Sequence, residues 1–153
     1  MRNTKINNLV ISLAFYKGPG NIITYLIRLF TWSKYSHAEL IFSDGTCFSS
    51  TAKEPYNGVY LSLFIFRNPL YWDLIRLPEI DQKDEKEILK YCQFLETQEF
   101  SWKGLFSFIF PFIKKEYCKW YCSEAILYVL QKGSGLHKDI SIKISPKNLF
   151  LLF

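Results

Sequence analysis

Cys122 and His37 are the two residues whose type and setting point most directly to covalent chemistry. Cys122 opens a segment with apolar residues at 122, 125, 126, 129 and 130, the stripe of a helix packed on a sheet, closed by Lys132-Gly133. A cysteine in a first helical turn lies beside backbone amides that have no intrahelical partner, and these favour the thiolate. Cys122 can therefore be a nucleophile, although a buried free cysteine also serves as a small core residue, and a catalytic role requires a partner. His37, one of only two histidines, lies on a predicted strand over 36–42. Period-two alternation puts His37, Glu39 and Ile41 on one face and Ala38, Leu40 and Phe42 on the other. Read as a two-residue turn, Asp44-Gly45 pairs Ile41 with Phe48, Glu39 with Ser50 and His37 with Ala52. If the Cys122 helix covers that face, the result is a thiolate, an imidazole and an orienting acceptor, the set that Cys–His nucleophilic catalysis needs. His37 would act as base and then acid, with Glu39, or Ser50 across the strand, fixing its tautomer.

These residues need a scaffold, and the pattern supplies one. Residues 9–15 read as a buried strand closed by the turn Lys17-Gly18-Pro19-Gly20, and residues 22–30 as a short apolar helix capped by Asn21 and expected to be buried. The hairpin 36–42 and 46–51 follows, then strands over 59–66 and 72–77 separated by Asn68-Pro69. Asp81 caps a helix reaching about residue 97, with Ile88, Tyr91, Cys92 and Leu95 on one face, which makes Cys92 core filling. The aromatic segment 102–113 fits a helix, a membrane-dipping loop or a pocket wall, and the apolar tail 144–153 is expected to dock on the body. The sum is one α+β domain over residues 1–153, an antiparallel sheet flanked by helices.

Composition excludes several classes. With 49% hydrophobic and 22% charged residues the chain can bury a full core and is not disordered. No stretch free of Lys, Arg, Asp and Glu exceeds the twelve residues 55–66, short of the ~18–20 that a membrane-spanning helix needs. The net charge of +5 comes mainly from lysine, and Arg2, Arg28, Arg67 and Arg76 are scattered, so nucleic acid is not an expected partner. Four cysteines do not make a disulfide framework. Cys118, Cys122, His37 and His137 could offer zinc two thiolates and two imidazoles, but the cysteine spacing is at the edge of the usual range and no second close pair exists. Neither metal nor cofactor is expected. Arg2 and Lys5 before the apolar run 9–16 imitate a secretion signal, yet no small-x-small cleavage site follows, so a cytoplasmic protein is expected rather than a secreted one. The abundance of Ile, Lys, Asn, Phe and Tyr suits an AT-rich bacterial or viral genome.

Tyr35-Ser36-His37-Ala38-Glu39-Leu40-Ile41-Phe42 with Asp44-Gly45 and Phe48-Ser49-Ser50, then Trp120-Tyr121-Cys122-Ser123-Glu124 and Ser145-Pro146-Lys147-Asn148-Leu149, resemble the circularly permuted branch of the NlpC-like papain-fold cysteine hydrolases. There the histidine strand precedes the cysteine helix. The resemblance runs over about residues 9–149 and implies a small, barrel-like antiparallel sheet with a permuted papain-like topology. It also implies a thiol peptidase or amidase on peptide or acyl-amide substrates such as cell-wall peptides, or, as in families similar to lecithin–retinol acyltransferase, acyl transfer on lipids at a membrane surface. Relatives often carry the orienting residue on the strand after the histidine, where this sequence has only Ser50. Glu39 is preferred because a carboxylate also stabilises an imidazolium. The Cys122 backbone N–H, and less strongly Tyr35, are the expected oxyanion donors.

Overall fold

The computed structural model describes residues 10–64, 67–108, 110, 112–114 and 116–153. Residues 1–9, with Arg2 and Lys5 of the apparent signal, and residues 65–66, 109 and 111 of the expected elements lie outside the described residues, whereas most of the apolar run 9–16 is a strand, Ser12–Tyr16. Strands β1 (Ser12–Tyr16), β2 (His37–Ile41), β3 (Thr46–Thr51), β4 (Gly58–Leu63), β5 (Trp72–Arg76), β6 (Glu99–Phe100) and β7 (Lys119–Trp120) form one sheet in the order β5-β1-β2-β3-β4-β6-β7. All neighbours are antiparallel except β6 and β7, which run parallel. Around it lie α1 (Ile22–Thr31), α2 (Gln82–Leu95), α3 (Trp102–Phe106), α4 (Cys122–Gly133) and α5 (Pro146–Leu152).

The α+β class is as expected, but the sheet is mixed and open, not a barrel. Its outer strands are β5 and β7, and closure would require these to pair; β6 and β7 are only two residues long, too short to carry the sheet round. Helix starts follow capping chemistry. The side chains of Asn21, Asp81, Ser101 and Ser145 each accept a backbone N–H three residues on.

The hairpin differs from expectation by one residue. Phe42 N–H donates to Thr46 O at 2.8 Å and Gly45 N–H to Phe42 O at 3.0 Å, so the loop is Ser43-Asp44-Gly45, with Gly45 left-handed at φ 88°. Three-residue loops of this kind use a type I turn followed by a glycine at positive φ. Leu40 therefore faces Phe48 and Ile41 faces Cys47, and the same register sets Ser49, not Ser50, across from Glu39.

The two faces of the sheet are covered differently. Leu13, Phe15, Ala38, Leu40 and Phe48 pack with Ala125, Ile126, Val129 and Leu130 of α4, while Ile88, Cys92 and Leu95 of α2 and Leu149 of α5 complete this core. Cys92 is fully buried there, as its helical position implies. Each large apolar side chain sealed in this layer contributes about 1.5–3 kcal/mol. On the opposite face the buried apolar residues, among those described, are Ala14, Ile41, Cys47 and Tyr60, edged by Phe64 and Trp72, and this face borders a cleft.

Candidate active site

Cys122 is held at the start of α4 by ties on both sides. Ser123 Oγ donates to Ile144 O at 2.6 Å, and Trp120 O accepts from Ser50 Oγ at 2.7 Å and from Ser101 N–H at 3.0 Å. Tyr121, the N-cap, is extended and supplies no side-chain cap, so nothing of its own covers the first amides of the helix. The helix body lies on the Ala38–Leu40 face, not on the His37–Glu39 face, so the condition under which the sequence assembled the catalytic set is not the one the fold uses. The helix N-terminus reaches the first residues of β2, so that Cys122 and His37 line the same cleft and are close enough for each to shift the other's ionisation.

Behind the imidazole stands Glu39. His37 Nε2 lies 3.4 Å from Glu39 Oε1 and 3.5 Å from Ser49 Oγ. Tyr60 OH donates to the same carboxylate oxygen at 2.9 Å. Because the imidazole has two nitrogens and Nε2 faces these oxygens, Nδ1 is the one left for the sulfur. The line Cys122, His37, Glu39, Tyr60 thus crosses from the helix to β2 and on to β4.

The electrostatics follow from this geometry. Burial by itself lowers the His37 pKa, but the Cys122 thiolate, and after it Glu39, outweigh burial and raise the imidazole to about 10. For Cys122, burial disfavours the thiolate, and the His37 charge and hydrogen bond, with the backbone of Ala38 and Ser123, hold the pKa below the usual thiol range. Glu39 shows the same balance: burial pushes its carboxyl up, while His37, Tyr60 and Cys47 more than compensate and keep it low. Cys47 makes the contrast. Burial and the neighbouring Glu39 charge push its thiol up to about 12.

All three groups open onto a cleft of about 790 Å³. His37 keeps 24% of its side-chain surface exposed, so a substrate can reach it. The cleft is walled by Ile23, Thr24 and Ile27 of α1, by Thr51 to Glu54 and Tyr56 after β3, by Trp72, and by Phe100, Trp102 and Leu105. Gly104 lets α3 close on this wall, since a Cβ there would stand 2.6 Å from Ser101 Oγ and 2.9 Å from the Tyr121 ring.

Of the residues singled out in the sequence, Cys122, His37 and Glu39 come together. Ser50 does not join them: its hydroxyl is spent on Trp120 O, and the one-residue register difference puts Ser49 beside the imidazole instead. Tyr35 also lies elsewhere. Its hydroxyl donates to Asp73 at 2.7 Å and its ring packs on Phe15 and Phe150. Of the zinc set, Cys118 is exposed and His137 packs edge-on against Phe153. Among the described residues, no group of three or more His, Cys, Asp and Glu could hold a metal ion.

Sequence reasoning missed Tyr60 and Asp73. The β3–β4 register pairs Ser49 with Tyr60, so Tyr60 becomes visible once the hairpin loop is counted as three residues. Asp73 accepts from Tyr35 and pairs with Lys17 and Lys34, tying β5 to the segment that leads into His37, and no local pattern announces such a contact. No known protein family, characterised protein or solved structure matches the chain.

Proposed function

We propose that this chain is a cysteine hydrolase in which Cys122 attacks a carbonyl, His37 moves the proton and Glu39 orients and charges the imidazole. The observation that carries this reading is the contact of the Cys122 thiol at a helix N-terminus with His37, itself backed by Glu39, in a cleft open to substrate. A lowered thiol and a raised imidazole are what a pre-formed thiolate–imidazolium pair requires. The order of histidine strand before cysteine helix agrees with the permuted papain-like arrangement implied by the sequence resemblance.

The steps follow from the atoms. Cys122 Sγ forms a bond to the substrate carbonyl carbon, and the C=O electron pair moves onto oxygen, which the Cys122 backbone N–H at the uncapped helix start is placed to receive. The intermediate collapses, the bond to the leaving amine breaks, and the amine takes the proton from His37 Nδ1. A thioester remains on Cys122. Neutral His37 then takes a proton from water, the hydroxide adds to the thioester carbon, and the C–S bond breaks to release a carboxylic acid and the thiolate. No cofactor enters these steps. The substrate class is a peptide or acyl amide, with cell-wall peptides first.

A second reading, acyl transfer or thioester cleavage on a lipid, draws on the apolar wall of Ile23, Ile27, Trp102 and Leu105. Incubation with muropeptides and with phospholipids separates the two, since the first yields new amines and the second lyso-lipids. The Cys122→Ala chain is expected to lose either activity by at least about 10³-fold while staying folded. Unchanged biological activity in the Cys122→Ala chain, with no product from the parent on either substrate, would leave a binding module in place of an enzyme.

A further inference from the structure

Helix α1 was expected to be a buried element, and it has no buried residue. One side, with Ile23, Thr24 and Ile27, faces the cleft. The other presents Ile22, Tyr25 and Leu29 at helical spacing, 73%, 56% and 61% exposed, and runs on to Trp32. Across a shallow groove that α1 shares with α3, Trp102, Phe106, Phe110 and Phe112 are exposed too. Single exposed apolar residues need no explanation, but a contiguous set on two elements at the rim of a cleft marks an interaction surface.

Charge decides what that surface meets. Residues 17–38 contain Lys17, Arg28 and Lys34 and no carboxylate, and residues 100–115 contain Lys103, Lys114 and Lys115 and again none. Both apolar segments thus carry basic residues only, and the carboxylate that reaches the second from outside it, Glu116, is shared between Lys103 and Lys119. The one carboxylate tied to the first of them, Asp73, is shared between Lys17 and Lys34, which leaves that cluster positive. Aromatic and aliphatic side chains set among lysines, with Asp73 and Glu116 at the margins each shared between two lysines, is the composition of a surface that lies in an anionic lipid interface. We infer that α1 and the α3 segment form a peripheral docking face for an anionic phospholipid membrane. Among the described residues no helix is long and apolar enough to cross a bilayer, so the face rests on the membrane and does not span it. Because Ile23 and Ile27 belong to both the cleft wall and the groove, docking turns the cleft mouth toward the bilayer.

The test is co-sedimentation of the full chain with vesicles of phosphatidylcholine alone and of phosphatidylcholine with phosphatidylserine. The parent binds the serine-containing vesicles and is released by raised salt. The Tyr25→Asp/Leu29→Asp double variant changes only outward side chains, so it keeps its circular dichroism and its Cys122 alkylation rate but binds at least about tenfold more weakly. The Cys122→Ala chain binds like the parent, so docking stands or falls independently of the hydrolase reading. Equal binding to both vesicle types, or unchanged binding by the double variant, overturns the inference. So does a concentration-dependent dimer that the double variant abolishes while neither chain binds vesicles, since a second copy would then be the occupant.

Discussion

Glu39→Gln isolates the charge behind the imidazole with almost no change of shape, because the amide oxygen can still accept from Tyr60 OH. The Nε2 to Oε1 distance is 3.4 Å. At that separation two unit charges attract by about 1 kcal/mol in a water-like medium and about 5 kcal/mol at an effective dielectric of about 20. Dividing by about 1.4 kcal/mol per pKa unit gives a fall of roughly 1–4 units in the His37 titration. The lower half of this range is expected, because the contact is long for a hydrogen bond and Ser49 Oγ competes for the same nitrogen at 3.5 Å. Imidazole nitrogen NMR is the assay, and with only two histidines in the chain the signals are simple to assign. In the parent, His37 stays protonated through neutral pH and titrates near 10, and the variant titrates one or two units lower. The Ser50→Ala chain titrates like the parent, since that hydroxyl donates to Trp120 O and not to the ring. A Glu39→Gln midpoint indistinguishable from the parent, or a shift in Ser50→Ala instead, would refute the assignment of Glu39 as the third member.

Two further expectations test the supports of the site. Tyr60→Phe keeps the ring stacked on Tyr56 but removes the 2.9 Å bond to Glu39; a hydrogen bond to a charged group is worth about 1.5–3 kcal/mol, so kcat/KM on a cleaved substrate falls by about tenfold or more. A rate within twofold of the parent would show that Glu39 does not need this donor. Asp73→Asn costs about 1–2 kcal/mol of stability in urea unfolding at pH 7, because Tyr35 and two lysines lose a charged acceptor. Burial opposes ionisation of Asp73, yet Lys17, Lys34 and Tyr35 hold its carboxyl far below the usual range, so its contribution is complete above the unfolded value near ~3.9 and fades as the pH falls below it. The gap between parent and variant should therefore be smaller at pH 3 than at pH 7, and a gap that widens in acid would contradict the pairing.

How much of this was legible in the sequence depended on whether the signal was periodic. The stripe from Cys122 to Leu130 and the alternation of His37, Glu39 and Ile41 are long enough to be read, and both elements stand where the pattern puts them. Their faces were read less well. Counting the Asp44-Gly45 turn as two residues moved every partner on β3 by one, which offered Ser50 as the orienting residue and hid Ser49 and Tyr60. The α4 body covers the far side of β2, and only its end reaches His37, a relation that no spacing encodes. Helix α1 misled for a different reason: it is apolar on both sides, so hydrophobicity alone could not say that its outer side is bare. Strands β6 and β7, two residues each, are below the length at which alternation exists.

The central claim is that one thiol of four is ionised by its neighbours in the fold. Treating the native chain with limiting iodoacetamide at pH 6 and quantifying each labelled cysteine by peptide mass spectrometry tests it directly. Cys122 is predicted to be labelled first, ahead of exposed Cys118 and of Cys47 and Cys92, whose thiols burial keeps protonated. Labelling of Cys118 before Cys122, or of Cys122 no faster after the fold is formed than in denaturant, would contradict it.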